Sequence, residues 1–225
     1  MKKISIAIDG PSGAGKSSLA KAVARHYRFL YVDTGAIYRT LGVAVQRAGV
    51  SSKDARSVVA LLPSVRIELS YSEDGTQRMI LNGEDVTGSL RTPEVSIIAS
   101  DVSAIPEVRA FLLDMQRDLA RKHDVVMDGR DVGTVVLPDA DVKIFLTADP
   151  AVRAERRRLE LAEKGVKASH EEVLRDLLYR DEQDASRAAA PLRAAEDAYR
   201  LDNSALDFDG TVADACREIS RKTGR

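Results

Sequence analysis

The sequence predicts an α/β domain in which helices cover both faces of a five-stranded parallel sheet. Short apolar runs typical of buried strands occur at residues 4–8, 29–32, 124–128, 142–148 and 198–203. Helical periodicity appears over residues 16–27, 36–48, 106–122, 150–164 and 209–222. This alternation favours a parallel sheet, because parallel neighbours need crossover connections. The length of 225 residues suits one such domain.

One segment, residues 64–88, interrupts the alternation of strands and helices. Its side chains alternate with a period of two on either side of the sequence SEDGT, and an Asp-Gly pair in that position predicts a hairpin turn. We therefore predict a small antiparallel insertion over about residues 63–92. Insertions at the carboxyl ends of parallel strands commonly cover a substrate, and an insertion without a binding role is the alternative.

The composition excludes several classes of function. Lys and Arg total 34 and Asp and Glu total 35, so no field of the whole molecule attracts nucleic acid or an acidic membrane. The single cysteine, Cys216, excludes a disulfide framework, and the three histidines lack metal-ligand spacing. The N-terminal apolar run stops at Asp9, too soon for a signal peptide, and no run approaches a membrane span. We expect a cytoplasmic protein that acts on a small molecule.

The most specific motif is G-x-x-x-x-G-K-S, between the first predicted strand and the first predicted helix. Its glycines let successive backbone N–H groups point inward at a helix N-terminus, where they bind phosphate. Lys16 would reach the β- and γ-phosphates, and the Ser17 hydroxyl would take a Mg²⁺ site. We predict that ATP contacts this loop through nine residues: Gly10, Pro11, Ser12, Gly13, Ala14, Gly15, Lys16, Ser17 and Ser18.

Two other interpretations of this glycine-rich loop are weaker. A dinucleotide-binding turn would place glycine or alanine where Ser18 stands, and it would not contain a lysine. A glycine-rich loop without a ligand is the second alternative.

Charged residues follow two of the predicted strands. Asp33 ends the second strand, before Tyr38 and Arg39 in the next helix, although an ordinary capped helix start explains this cluster equally well. Asp128 ends an apolar strand, as a carboxylate that organises Mg²⁺ near a phosphate loop does. The loop that follows, with Arg130 and Asp131, is too charged for a core, which favours a binding role over a solvated loop.

Two predicted helices carry further arginines. Arg153, Arg156 and Arg157 share one helix face, where they would repel one another unless an anion arrives. A solvated basic helix, with its arginines paired to neighbouring glutamates, is the alternative. Farther on, one predicted helical stripe carries an Arg-Asp-Arg set that suits either a sugar phosphate or a surface salt-bridge ladder: Arg180, Asp184 and Arg187. The sequence SHEEV at 169–173 predicts a capping box.

Six segments, in this order and spacing, resemble bacterial cytidylate kinases: DGPSGAGKSS, DTGAIYR, RTPEV, DGRDVGTVV, VKIFL and RAAAPL. The resemblance covers essentially the whole chain, and the departure from the pattern is Ser18. It implies the fold of P-loop nucleoside monophosphate kinases, with a monophosphate-binding subdomain over about residues 36–107 and a lid over about 150–165. It also implies a monomer that uses ATP with Mg²⁺ as donor and CMP or dCMP as acceptor.

The resemblance assigns roles to individual residues. The acceptor pocket is implied to include Thr34 and Tyr38, with Arg39, Arg130 and Arg187 on the acceptor phosphate, Arg180 and Asp184 on the ribose, and Ser100, Arg109 and Asp131 on the cytosine edge. The catalytic set is Lys16, Arg130, Arg153, Arg157 and Arg187; ATP also meets Arg156 and Arg157; and Mg²⁺ is held, partly through water, by Ser17, Asp33 and Asp128.

Two rival functions remain at the level of sequence. A nucleotide-dependent switch would need a guanine-reading N-K-x-D motif, which the chain lacks; its D-x-x-G match at 207–210 lies after the last predicted strand and is interpreted as chance. A P-loop kinase for another small acceptor, such as UMP or a non-nucleotide, is the second rival.

Overall fold

The computed structural model describes residues 2–73, 75–163 and 165–225. Its strands, in chain order, are β1 (Ser5–Asp9), β2 (Leu30–Asp33), β3 (Ile67–Tyr71), β4 (Gln77–Leu81), β5 (Glu84–Asp85), β6 (Val125–Gly129), β7 (Val142–Thr147) and β8 (Tyr199–Asp202). Its helices are α1 (Lys16–Tyr27), α2 (Thr34–Arg47), α3 (Ala55–Leu61), α4 (Pro93–Val102), α5 (Pro106–Lys122), α6 (Pro150–Glu163), α7 (His170–Ser186) and α8 (Phe208–Thr223).

The five predicted core strands form one parallel sheet in the order β2-β6-β1-β7-β8, with helices on both sides. The predicted α/β class is therefore confirmed. The strands β1, β6 and β7 are almost completely buried on at least one face, as parallel strands between helix layers must be. No helix in the described part of the chain combines the length and the apolar character needed to cross a bilayer.

The chain divides into two compact units. The larger unit contains the chain up to Tyr31 and Ala120–Arg225, and the smaller unit contains Val32–Leu119. In the larger unit, apolar side chains of β1 and β7 pack with those of α1 and α8 in one core cluster that includes Ile6, Ile8, Leu19, Val23, Ile144, Leu146, Ala215 and Ile219. A separate apolar cluster joins α6 to α7 through Ala154, Val173 and Leu177.

The smaller unit contains the predicted insertion. The strands β3 and β4 pair antiparallel, as the alternating sequence predicts, and β5 adds a short third strand that the sequence did not indicate. Asp74 of the predicted Asp-Gly turn lies outside the described residues. The helices α3 and α4 were also not predicted; both are short and start at side-chain caps, Asp54 for α3 and Thr92 for α4.

The first residue after β1 approaches its neighbouring strand very closely. Gly10 has φ 151°, and a Cβ built on it would lie 2.0 Å from the backbone carbonyl oxygen of Leu146 in β7. Glycine is therefore required there, because any side chain would overlap backbone that belongs to the sheet. The phosphate loop can leave the sheet along this path only because the side chain is missing.

Asp9, the last residue of β1, holds a turn that begins three residues after the end of β6. Its carboxylate is buried and accepts the backbone N–H groups of Val132 (2.8 Å) and Gly133 (2.7 Å), at the start of a π-helical turn over Val132–Val136. Burial raises the pKa of this carboxyl group to about 6, although the two N–H groups oppose the rise. The segment with Arg130 and Asp131 is thus tied to the central strand of the sheet.

We expect Gly10→Ala to destabilise the fold by several kcal/mol, or to prevent folding, because the new Cβ meets an immovable carbonyl. Gly49→Ala is the matched control, since Gly49 also has a positive φ of 66° but nothing within 4 Å of its Cβ position. That control should cost only about 1 kcal/mol for its backbone conformation. Urea unfolding measures both values, and equal losses would show that the contact with Leu146 is unimportant.

We expect the stability difference between the wild type and Asp9→Asn to depend on pH. The folded pKa lies above the unfolded value, so the native state binds the extra proton at low pH and loses that advantage as the pH rises from about 4 to above 6. The stability of the wild type relative to Asp9→Asn should therefore fall by roughly 2.5 kcal/mol between pH 4 and pH 7. Urea unfolding of both proteins at several pH values measures it.

Asp54→Asn provides a control with the opposite sign. Hydrogen bonds from Ser57 lower the pKa of the exposed Asp54, so its contribution to stability is present at neutral pH and is lost on acidification. If the difference in free energy of unfolding between the wild type and Asp9→Asn stayed constant across the pH range, the Asp9 carboxyl group would not have the raised pKa that its burial implies.

Candidate active site

The N-terminus of α1 is open to an anion. Gly15 precedes the helix with φ 91°, no side chain caps the helix, and its first turn contains no acidic residue. The helices α2, α3 and α4, in contrast, are each capped by a side-chain oxygen. The first N–H groups of a helix and its positive dipole end attract a phosphate when nothing else satisfies them.

Lys16 is buried beside this helix end, and its Nζ donates to the carbonyl oxygen of Pro11 at 2.7 Å. Burial is the main cause that lowers the pKa of the Lys16 ammonium to about 7, and the nearby Arg130 adds to the effect. An arriving phosphate anion favours the charged form of the lysine. The side chain thus has the burial and the position of a phosphate ligand.

Ser17 and Asp128 bring two oxygen donors together. The Ser17 hydroxyl donates to Oδ2 of Asp128 at 2.8 Å, and the Tyr31 hydroxyl donates to Oδ1 at 2.9 Å. A hydroxyl and a carboxylate are ligand types that suit Mg²⁺, which keeps most of its coordination for phosphates and water. The described residues include no group of three or more His, Cys, Asp or Glu side chains that would enclose a metal.

Asp33, the third predicted metal ligand, belongs to the smaller unit and is engaged there. Its Oδ1 accepts the N–H of Ala36, which makes Asp33 the N-cap of α2, and its Oδ2 accepts Nη2 of Arg39 at 2.8 Å. The capped helix start that the sequence allowed as an alternative is therefore present. A metal role for Asp33 stays a prediction.

One carboxylate organises two of the predicted phosphate-binding arginines. Asp184 is buried near the end of α7 and accepts Nε of Arg130 at 2.6 Å through Oδ2 and Nη2 of Arg187 through Oδ1. The Nη2 atom of Arg130 donates to the Ser12 hydroxyl at 2.8 Å, so this pair reaches the phosphate loop. The predicted helical stripe is only partly correct, because α7 ends at Ser186 and Arg187 follows it in extended conformation, whereas the exposed Arg180 lies on the helix.

Arg153 also contacts the phosphate loop. Its Nη1 donates to the carbonyl oxygen of Ser12 at 2.9 Å and pairs with Asp181 at 2.7 Å, and its Nε donates to the carbonyl of Ala148. Because Arg153 is only 3% exposed, the solvated basic helix is the wrong interpretation at this position. On the more exposed side of the same helix, Arg157 pairs with Glu160 and Arg158 with Glu155. The carboxylates of Asp181, Glu160 and Glu155 therefore reduce the electrostatic repulsion among the arginines of α6. A phosphate-binding role for Arg157 stays a prediction.

A cavity of about 360 Å³ opens beside the phosphate loop within the larger unit. The loop lines one side, α6 lines another with Arg156 and Arg157, and the segment from β8 to α8 supplies residues that the sequence analysis missed: Asn203, Leu206, Asp207, Phe208 and Thr211. A larger cavity, about 540 Å³, lies beside the turn between α6 and α7 and contains none of the predicted site residues.

Asn203 fixes this wall of the cavity. Its Nδ2 donates to the carbonyl of Ala14 in the phosphate loop at 3.2 Å, and its Oδ1 accepts Nη1 of Arg156 at 3.0 Å. The D-x-x-G match has a structural explanation, because Asp207 is the N-cap of α8 and accepts the N–H of Gly210. The sequence did contain one signal for this wall: Asn203 and Asp207 lie at or just after the end of the last predicted strand. Ligands bind at the carboxyl edge of a parallel sheet, so this position indicates a binding site.

The smaller unit brings together three of the residues predicted for the acceptor base and its pocket. The Arg109 guanidinium lies 5.7 Å from the ring centre of Tyr38, and its Nη1 donates to the carbonyl of Ser103 at 3.2 Å. Ser103 in turn donates its hydroxyl to the carbonyl of Ser100, an exposed residue of α4. Thr34 is buried as the first residue of α2. Asp131, also predicted for the base, is buried in the larger unit.

A family model described as cytidylate kinase matches residues 6–221. The cytidylate kinase of Caldicellulosiruptor bescii is 48% identical over 209 residues, which cover 93% of this chain and 92% of the relative. That of Carboxydothermus hydrogenoformans is 47% identical over 217 residues, covering 96% and 97%, and that of Lactobacillus gasseri is 43% identical over 217 residues, covering 96% and 94%.

Among solved structures, a gluconokinase from Sinorhizobium meliloti aligns with 98% of this chain and 93% of its own, with a TM-score of 0.50 and 15% identity. That likeness concerns the fold alone. The family model and the curated relatives extend over almost the whole chain, through both compact units and the inserted sheet. The chain belongs to the cytidylate kinase family.

Proposed function

We propose that the protein transfers the γ-phosphoryl group of ATP to the phosphate of CMP or dCMP, giving ADP and CDP or dCDP, as a step of pyrimidine nucleotide metabolism. The observation that carries the proposal is the uncapped N-terminus of α1, with the buried Lys16 beside it and with Ser17 hydrogen-bonded to Asp128. Relatives of this chain named cytidylate kinase support the choice of acceptor.

ATP is proposed to bind entirely on the larger unit. Its β- and γ-phosphates lie on the N–H groups of the phosphate loop, where Lys16 exchanges the carbonyl of Pro11 for phosphate oxygens. Its base occupies the cavity between α6 and the start of α8, where the half-exposed Phe208 offers an apolar surface and Arg156 a planar guanidinium. Arg157 completes the donor side.

Mg²⁺ is proposed to bind at Ser17 and Asp128, partly through water. The Ser17 hydroxyl and the Asp128 carboxylate already lie 2.8 Å apart. The ion would need no further protein ligand, because phosphate oxygens and water would complete its coordination. When bound, the ion neutralises the charge of the β- and γ-phosphates during transfer. The protein itself holds these two oxygens at the end of the loop, with Tyr31 orienting the carboxylate.

The acceptor is proposed to bind through the residues that the family resemblance implies. Arg39, Arg130 and Arg187 bind its phosphate, Asp184 and Arg180 contact the ribose, and Ser100, Arg109 and Asp131 recognise the cytosine edge. Two features favour this assignment: Arg130 and Arg187 share the carboxylate of Asp184, and Nε of Arg39 is buried without a hydrogen-bond partner. A guanidinium with such a donor gains from an anion, because the unmet hydrogen bond is costly.

The transfer needs no general base. An oxygen of the acceptor phosphate, already an anion near neutral pH, forms a new bond to the γ-phosphorus while the bond from that phosphorus to the β–γ bridging oxygen breaks, and its electron pair leaves with ADP. Catalysis then consists of alignment and stabilisation of charge in a loose transition state. Lys16, Arg130, Arg153, Arg157 and Arg187 provide positive charge, which explains why no histidine or cysteine nucleophile is required.

A panel of acceptors assayed with ATP tests the function. We expect CMP and dCMP to be phosphorylated far more efficiently than UMP, AMP, GMP, shikimate or gluconate, with ADP release measured by a coupled assay. Lys16→Ala excludes a contaminating kinase, because loss of this charge should reduce turnover by about 100-fold or more in folded protein. Efficient transfer to a non-nucleotide acceptor, with little transfer to CMP, would contradict the proposal.

We expect Asp131→Ala to narrow the preference for CMP over UMP. A carboxylate accepts the N4 amino group of cytosine but faces the O4 acceptor of uracil, and a mismatched polar site can discriminate by roughly 10⁴-fold. The ratio of kcat/KM for the two acceptors should fall by about 100-fold in the variant, mostly through loss of CMP activity. Asp139→Ala, which removes an exposed carboxylate nearby in sequence, should leave the ratio unchanged. An unchanged ratio in Asp131→Ala would mean that this carboxylate does not recognise the base.

A further inference from the structure

Gln77 occupies an unusual position in the inserted sheet. It is the first residue of β4, and the inward positions that follow it on the strand hold the buried apolar side chains of Met79 and Leu81. Gln77 itself is only 8% exposed. A buried amide must find hydrogen-bond partners, since leaving them unmet is costly. An apolar residue would satisfy the packing of this strand, so the choice of glutamine requires another explanation.

The side-chain amide of Gln77 hydrogen-bonds to both backbone groups of Asp33 and to the sulfur of Met79. The Asp33 N–H donates to Oε1 of Gln77 at 2.8 Å, and Nε2 donates to the Asp33 carbonyl at a longer distance of 3.4 Å, with the sulfur of Met79 at 3.1 Å. Because the backbone N–H can only donate, the orientation of the amide is fixed. Gln77 thus acts on Asp33 as a neighbouring strand would, by meeting both of its backbone groups.

Asp33 passes this restraint on to α2 and to Arg39. Its backbone is extended at the N-cap position, and its two carboxylate oxygens accept the N–H of Ala36 and Nη2 of Arg39, each at 2.8 Å. The Arg39 guanidinium lies close over the first turn of the helix, since a Cβ on Gly35 would be 3.0 Å from its Nη1. A rotation of the Asp33 backbone would therefore move the cap and the guanidinium together.

We propose that Gln77 is a positioning residue for the acceptor phosphate, because it fixes Asp33 and through it the guanidinium of Arg39. The inserted sheet then has a defined role, since it holds the start of α2 at the residue that orients an arginine. This inference rests on the proposed function, which assigns Arg39 to the phosphate of CMP. All the contacts that carry it lie within the smaller unit.

Gln77→Met tests the inference, because methionine has a similar length but neither accepts the Asp33 N–H strongly nor donates to its carbonyl. We expect the KM for CMP to rise about tenfold, because both hydrogen bonds that restrain Asp33 are lost, while kcat and the KM for ATP change less than about twofold. Gln116→Met is the matched control, since Gln116 is a buried glutamine of the same unit whose Nε2 donates to Leu112 of its own helix. The control should leave the KM for CMP unchanged.

A double-mutant cycle with Arg39→Met identifies the route of the effect. If Gln77 acts through Arg39, Gln77→Met should no longer raise the KM for CMP in the Arg39→Met background. An equal rise in both backgrounds, or parallel rises of the KM for ATP and for CMP, would overturn the inference. If Arg39→Met alone left the KM for CMP unchanged while the wild type phosphorylated CMP, the assignment of Arg39 in the proposed function would be the part that fails.

Gln77→Glu keeps the test usable if Gln77→Met does not fold. Glutamate retains an acceptor for the Asp33 N–H, the shorter of the two hydrogen bonds, but faces the Asp33 carbonyl with a second acceptor. Its effect on the KM for CMP should be smaller than tenfold and should again disappear in the Arg39→Met background. Persistence of its full effect without Arg39 would also overturn the inference.

Discussion

Asp9 is buried at the end of the central strand β1, where its carboxylate accepts the N–H groups of Val132 and Gly133. The next residue, Gly10, begins the phosphate loop and passes against the carbonyl of Leu146. Two adjacent positions therefore determine the paths of both functional loops of the larger unit. The two carboxylate oxygens of Asp9 hold the segment after β6. Because Gly10 has no side chain, the loop after β1 can pass close to β7. The remaining contacts of the site build on these two paths.

The second constraint is that arginine side chains largely withdrawn from solvent need carboxylate partners. Arg130 and Arg187 share Asp184, and Arg153 is paired with Asp181, so the guanidinium groups around the phosphate loop are held in fixed positions. Such pairs bring little net stability, because desolvation offsets their attraction. Their value is orientation, since an arginine that is already ordered loses less side-chain entropy when a phosphate binds.

Much of the fold could be predicted from the sequence. The five core strands follow from short apolar runs, the phosphate loop from the spacing of its glycines and Lys16, and the start of α7 from Ser169 and Glu172, which form the predicted capping box. Each of these signals is local, because periodicity and caps involve residues within a few positions of one another. The helices α3 and α4 are too short for periodicity to stand out.

The contacts that define the candidate site could not be predicted in this way. Arg130 and Asp184 are 54 residues apart in sequence, Gln77 and Asp33 are 44 apart, and Asn203 meets Ala14 across 189 residues. The local sequence around one residue of such a pair does not identify the other residue. The family resemblance implies roles for individual residues, but the carboxylates and amides that orient their side chains are seen only in the folded chain.

The bond between Arg130 and Ser12 has a thermodynamic consequence. Ser12 belongs to the loop proposed for the donor and Arg130 to the set proposed for the acceptor, and their side chains meet at 2.8 Å. Any nucleotide that draws Arg130 away from Ser12, or strengthens that contact, changes the free energy of the other binding event. Linkage of this kind is reciprocal, so ATP must alter the affinity for CMP by the same factor by which CMP alters the affinity for ATP. If ATP engages Ser12 and CMP engages Arg130 as proposed, this hydrogen bond couples the two affinities.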